Sequence, residues 1–231
     1  MEEKQQTATD LEWLSHLTAK DVSKIREILL KALANGEAFI SSNDILREFK
    51  VSKYLELGTK ELISKFLTIV DYRETPPVRK SFNLNSIQEE ALKKIETENG
   101  NIEISKARLE GISSIIEAFC AIKTYLGKVS ILFVTPNKQL GWHSRDKIVD
   151  FIEQLDLNLN LFSDKQLYTV KKQNEISLSN GSFIRFESSS NIRGIRTDYI
   201  ILDEEGFFKE SFSMREIVAA IGGKVISTYT Y

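Results

Sequence analysis

The spacing of apolar positions changes at about residue 80. Before it, Val22, Ile25, Ile28, Leu29 and Leu33 recur at helical spacing, as do Ile45, Leu46 and Phe49, and then Leu62, Phe66 and Leu67. Thr18 or Asp21 and Ser42-Asn43-Asp44 stand where N-caps belong, and Asn35-Gly36 is a stop signal. Residues 9–69 therefore predict short helices joined by tight turns. Asp71-Tyr72-Arg73-Glu74-Thr75-Pro76-Pro77 breaks this pattern, because Pro disfavours helix at the residue before it. A linker is expected at 71–81, separating a helical region over 1–70 from a second domain over 82–231.

In the second domain the texture alternates. A helix carrying Ile87, Ala91, Leu92 and Ile95 leads to a short strand at Ile102 to Ile104, then to a long apolar helix from Gly111 to Tyr125. A strand from Val129 to Val134 precedes a helix around Ser144 to Leu155. Residues 176–179 and 182–186 alternate in polarity around Asn180-Gly181, a strong hairpin signal. The apolar run Tyr199-Ile200-Ile201-Leu202 ends in Asp203-Glu204; a helix near Met214 to Ile221 and a strand from Lys224 to Thr228 come after it. Strands alternating with helices predict an α/β fold with a mainly parallel sheet.

Composition narrows the function classes. At 231 residues, 42% hydrophobic and 28% charged, the chain is ordinary for a globular protein. No apolar run approaches the roughly 20 residues of a membrane span, and the polar, acidic start Met1-Glu2-Glu3 is unlike a signal peptide. An intracellular, cytoplasmic protein without membrane contact is expected. The net charge of −2 gives no global attraction for nucleic acid. Arg47, Lys50, Lys53, Lys60 and Lys65 would suit a helix-turn-helix module. They alternate with Asp44, Glu48, Glu56 and Glu61, which favours a plain helical bundle or lid. Trp142 reads as a packing residue that could alternatively touch DNA. Cys120, the one cysteine, lies in an apolar helical run and reads as a packing residue. His16 and His143 have no metal-ligand spacing.

The chemistry centres on Asp203-Glu204. An apolar parallel strand ending in two carboxylates is a Walker B pattern: the first helps hold Mg²⁺, and the second orients the water that attacks a γ-phosphate. The alternative is a buried strand that merely runs into an acidic turn. A phosphate loop would fall between the first strand and the long helix, at Ser105 to Ser114. The P-loop pattern G-x-x-x-x-G-K-[ST] finds Gly111 and Ser113 in place, but Ile112 stands at the Lys position and Lys106 at that of the first glycine.

Order and spacing bring in a resemblance. Phe82 to Thr230 resembles the ATPase domain of large terminase subunits, the viral DNA-packaging motors, and so implies a P-loop NTPase of the ASCE (RecA-like) class with a β-hairpin insertion. Phe82 to Gln88 looks like the family's opening segment, whose Gln recognises adenine; Gln88 is the match. Ala107 to Ser114 is similar to the deviant Walker A of terminases, with Arg108, Gly111 and Ser113 matching and Ile112 departing. The hairpin at 176–184, the loop Asn191-Ile192-Arg193-Gly194 and the segment Asp198 to Phe207 keep the family order. Ser227-Thr228 resembles the strand end that terminases use to couple nucleotide state to movement.

The resemblance implies ATP and Mg²⁺ as cofactors. Nucleotide would bind at Gln88, Lys106, Arg108, Gly111, Ser113 and Ser114, and metal at Ser113 and Asp203. Glu204 would be the catalytic carboxylate, with Arg108 or Arg193 stabilising the transferring phosphoryl group. It also implies double-stranded DNA, a portal or small terminase subunit, and a homo-oligomeric ring as partners. Terminases usually continue into a nuclease domain; these residues supply no such carboxylate cluster, so no endonuclease activity is expected of them. Ile112 supports an alternative: a degenerate P-loop protein, hydrolysing weakly or not at all, that serves as an assembly or DNA-binding subunit. A helicase-like translocase fragment would need a second such sheet.

Overall fold

The computed structural model describes residues 17–34, 42–71, 74–162, 166–189, 195–208, 218–219 and 221–230. The chain divides into two compact units, 1–56 and 57–231. In the first, helix α1 (Ala19–Ala34) begins at a reciprocal cap. The Thr18 backbone N–H donates to the Asp21 carboxylate at 2.9 Å, and the Asp21 N–H donates to the Thr18 hydroxyl at 3.3 Å. Asp21 is also ion-paired with Lys53 of helix α2 (Ser42–Leu57). The Lys53 ammonium, and after it the bonds from Thr18, hold the Asp21 carboxyl at about 2. His16 and the Asn35-Gly36 stop signal lie outside the described residues.

The third helix, α3 (Thr59–Phe66), belongs to the second unit, so the division falls after Glu56 instead of at 71–81. Its Leu62 and Ile63 are fully buried, and Lys60 is ion-paired with Glu89 at 2.8 Å. The expected linker is a two-stranded antiparallel ribbon of β1 (Thr68–Asp71) and β2 (Val78–Ser81), in which Thr68 faces Ser81 and Asp71 faces Val78. Pro76 and Pro77 sit in the connection between its strands. Proline ends a helix equally well before a tether and before a turn, so the sequence signal could not separate the two. The Arg79 guanidinium grips the Asp150 carboxylate with two bonds of 3.0 Å, and the Thr68 N–H donates to the Gln154 side chain at 2.6 Å. Both partners lie on helix α6 (Lys138–Leu159).

The main sheet has seven strands: β3 (Ile102–Lys106), β4 (Ser130–Thr135), β5 (Tyr168–Lys171), β6 (Glu175–Leu178), β7 (Phe183–Ser188), β8 (Tyr199–Leu202) and β9 (Lys224–Thr230). Their spatial order is β3-β9-β8-β4-β7-β6-β5. From β3 to β7 every pairing is parallel; β6 and β5 are antiparallel additions at one edge. The parallel strands therefore deliver Lys106, Asp203, Thr135, Ser188 and Thr230 to the same edge, where open α/β sheets bind ligands. Helix α4 (Ser86–Thr97) starts at an Asn85–Gln88 capping box. Helix α5 (Ile112–Leu126) is buried along nearly its whole length, as its continuous apolar sequence dictates. Ile131, Leu132, Phe133 and Val134 of β4 and Ile200 and Ile201 of β8 are fully buried beside it.

The Asn180-Gly181 hairpin forms between β6 and β7, and the Asn180 amide also caps α5, donating to the carbonyls of Thr124 at 2.9 Å and Gly127 at 2.7 Å. Strand β5 carries no comparable sequence signal. Helix α6 begins at Asn137, whose side chain accepts from the Leu140 N–H at 3.1 Å, earlier than the apolar spacing from Ser144 suggests. Trp142 is thus helical and 38% exposed, less sunk in the core than its reading as a packing residue implies. Of the helix expected near Met214 to Ile221, Val218, Ala219 and Ile221 are helical and the rest lies outside the described residues. Among the described residues no helix is long and apolar enough to cross a membrane.

Candidate functional site

The end of β8 places Asp203 and Glu204 differently although they are adjacent. Asp203 is buried, and its Oδ1 accepts three bonds: from Lys106 Nζ at 2.8 Å, from Thr228 Oγ1 at 2.7 Å and from Ser113 Oγ at 3.2 Å. Glu204 takes a left-handed conformation at φ 60°, which is unusual for a residue with a Cβ and turns its side chain out of the strand. Its N–H donates to the Thr228 hydroxyl at 2.9 Å. Thr228 thereby links the side chain of one carboxylate to the backbone of the other. Ser227 alternates to the opposite face, where its hydroxyl donates to the Ile102 carbonyl at 3.4 Å.

The end of β3 supplies the cation. Lys106 is buried, with its ammonium donating to Ser113 Oγ at 2.7 Å and Asp203 Oδ1 at 2.8 Å and standing 3.7 Å from Glu204 Oε1. Ile112, at the lysine position of the motif, is 1% exposed and borders the pocket that the loop encloses. Gly111 begins α5 at φ 76°, and a Cβ there would stand 2.3 Å from Gln88 Nε2. Backbone hand therefore favours glycine, and a Cβ would also displace the Gln88 amide from its place against the loop. That amide donates to the carbonyls of Glu110 at 3.2 Å and Gly111 at 3.4 Å while its oxygen closes the capping box. Gln88 props the loop. The Glu110 carboxylate accepts the Ala107 N–H at 2.7 Å, closing the loop from the other side. Leu109, at φ 70°, is fully exposed at its tip, and Arg108 is exposed beside it.

These groups surround an open pocket of about 420 Å³, lined among others by Lys106, Arg108, Ser113, Ser114, Glu204 and Lys147. The oxygen donors of Ser113 and Asp203 suit a hard divalent cation; in this structure the Lys106 ammonium bridges the same two oxygens. The sequence reading missed Lys147 and its partner Glu117. Lys147 Nζ lies 3.3 Å from Glu117 Oε2, and burial pushes the Glu117 carboxyl up to about 7. Nothing marked the pair in the sequence, since a Lys and a Glu on separate helices are ordinary until the helices pack. Arg193 and its loop lie outside the described residues.

A mainly parallel sheet in which β9 lies between β3 and the acidic strand β8, with Lys106 and Asp203 meeting at the strand ends, is the arrangement of a P-loop NTPase fold. Solved structures of large terminases share this fold. The chain is similar to the large terminase ATPase domain of Thermus phage P74-26, with a TM-score of 0.50 at 14% identity over 64% of this chain and 65% of that one. A mutant of that domain matches equally. The HK97 bacteriophage large terminase matches with a TM-score of 0.56 at 14% identity, over 74% of this chain and 36% of that one. The chain thus spans about two-thirds of the first and about a third of the second. No family model and no curated protein matches the sequence.

Proposed function

We propose that this chain is the ATP-hydrolysing domain of a terminase-like DNA-packaging motor, coupling hydrolysis to movement of double-stranded DNA. The observation that carries this reading is the Lys106 ammonium at the meeting point of Ser113, Asp203 and Glu204. It supplies, from the start of the loop, the cation that Ile112 removes from its end. A bound triphosphate would be held by residues 107–114, with the α5 N-terminus, Ser114 and Lys106 available to meet its charge. Ser113 and Asp203 would hold Mg²⁺, which when bound offsets charge on the phosphates. Glu204 orients the attacking water, and Arg108 at the rim stabilises charge on the transferring group; Arg193 shares that role by resemblance.

Gln88 holds the loop; reading adenine would require it to exchange its bonds to the Glu110 and Gly111 carbonyls. Thr228 couples the site to β9, because any shift of Asp203 or Glu204 reaches that strand through one hydroxyl. DNA, a portal or small terminase subunit and a ring of copies are the partners this reading brings with it. Glu204→Gln should retain Mg-ATP binding and abolish turnover; turnover at the parental rate would remove Glu204 from the mechanism.

The second reading, a non-hydrolysing assembly subunit, draws on the same contacts. Lys106 is already neutralised by Asp203, and Glu110 already takes a loop N–H. Calorimetry with millimolar ATP and Mg²⁺ separates the two, a silent titration favouring the second.

A further inference from the structure

The pocket holds a cation that the loop and the strand ends do not supply. Lys147 reaches it from α6 and lines it together with Arg108, Ser113 and Glu204. Its ammonium faces Glu117 Oε2 at 3.3 Å. Glu117 lies one turn of α5 beyond Ser113, so the two share a helix face, and that face turns toward the strand ends where Ser113 meets Asp203.

Glu117 is 2% exposed, and inside the protein its carboxylate is met by the Lys147 ammonium and by Ser144. A carboxyl in this place costs stability that an apolar side chain would not. Lys147 is different: its side chain is 53% exposed, and a four-carbon stem lets the ammonium swing while its base stays fixed. Lys106, by contrast, is buried and committed to Asp203 and Ser113. A triphosphate entering the pocket would meet Lys147 as a cation that can move.

We infer that Lys147 binds the γ-phosphate end of a nucleoside triphosphate, and that Glu117 is a positioning residue holding its ammonium at the pocket before nucleotide arrives. The γ end is indicated because Lys147 lines the same pocket as Glu204, and the water-orienting carboxylate must stand beside the phosphate under attack. Lys147 then lets the site distinguish triphosphate from diphosphate. The inference rests on the nucleotide reading above.

The test is calorimetry on the full chain with Mg²⁺ and either ATPγS or ADP. A charge-assisted bond corresponds to on the order of ten- to a hundredfold in affinity. Lys147→Met should weaken ATPγS by that factor and leave ADP within about twofold, while Lys147→Arg keeps ATPγS within about threefold of the parent. Glu117→Gln should weaken ATPγS by a few-fold alone and add nothing to Lys147→Met. Parental ATPγS affinity in Lys147→Met, or equal losses for both nucleotides, overturns the γ-phosphate role. A Glu117→Gln effect that persists in the Lys147→Met background overturns the positioning role. A parent chain that binds neither nucleotide overturns the nucleotide reading itself, an outcome distinct from one in which the parent binds and Lys147→Met changes nothing. Melting temperatures near the parent's show that the half-exposed Lys147 variants are folded.

Discussion

In the proposed reading Lys106 supplies the cation that the motif places at residue 112, because the loop doubles back and brings Lys106 to Ser113. Lys106→Met should therefore be severe. It removes the partner of a buried carboxylate, a change that typically costs about 3–5 kcal/mol, and it removes a preorganised donor whose loss lowers turnover by about 10²–10³. Urea unfolding and steady-state hydrolysis would each read one of these effects. Restoring the textual motif with Ile112→Lys is expected to harm the protein, since that side chain is only 1% exposed even though it borders the pocket. An ammonium there would cost several kcal/mol, on the order of the penalty for an unpaired buried charge. A gain in ATP affinity from Ile112→Lys would show that the position faces phosphate after all. Gly111→Ala separates loop shape from loop charge: the positive φ and the 2.3 Å approach of Gln88 both oppose a methyl group. A loss of more than about 1 kcal/mol is expected, along with weaker nucleotide binding, and Gln88→Ala should recover only the part due to crowding.

At the scale of elements, the hairpin shows how one residue serves two structures. Asn180 makes the turn legible in the sequence, and its amide is then used to close the end of α5. Ser182 reinforces the join, its hydroxyl donating to the Gly127 carbonyl at 3.0 Å and accepting from the Val129 N–H at 3.0 Å. The hairpin thus fixes where α5 ends and where β4 starts. Asn180→Ala should destabilise by roughly 1–3 kcal/mol, the cost of leaving buried partners unsatisfied. The midpoint of urea unfolding checks this. If Asn180 served only the turn, Asn180→Gly would be nearly neutral; the contacts to α5 predict a loss from that change too.

At the scale of the molecule, legibility tracked the range of the signal. Periods of apolar residues located α5, β4 and β8, and their order located the sheet, because those cues are local and repeat. The Asp203-Glu204 pair was legible for the same reason: a buried strand must end before charge begins. The boundary after Glu56 was not, since α3 carries the same helical period as α2 and only its burial assigns it to the sheet-bearing unit. Glu117 was least legible, sitting inside a helix whose apolar character argues against any charge. Its consequence is a pH dependence. The carboxyl lies at about 7 in the folded chain against an ordinary 4.5, so the folded state binds the extra proton between those values. Its favourable contribution is complete below pH 4.5, falls as pH rises toward 7, and is absent above. Glu117→Gln lacks this titration. The variant should gain on the parent across that window, by on the order of 3 kcal/mol at full ionisation, and the gap should level off above about pH 8. Denaturant unfolding of both chains from pH 5 to 8 measures it. A constant gap would mean that Glu117 stays ionised throughout, held so by Lys147.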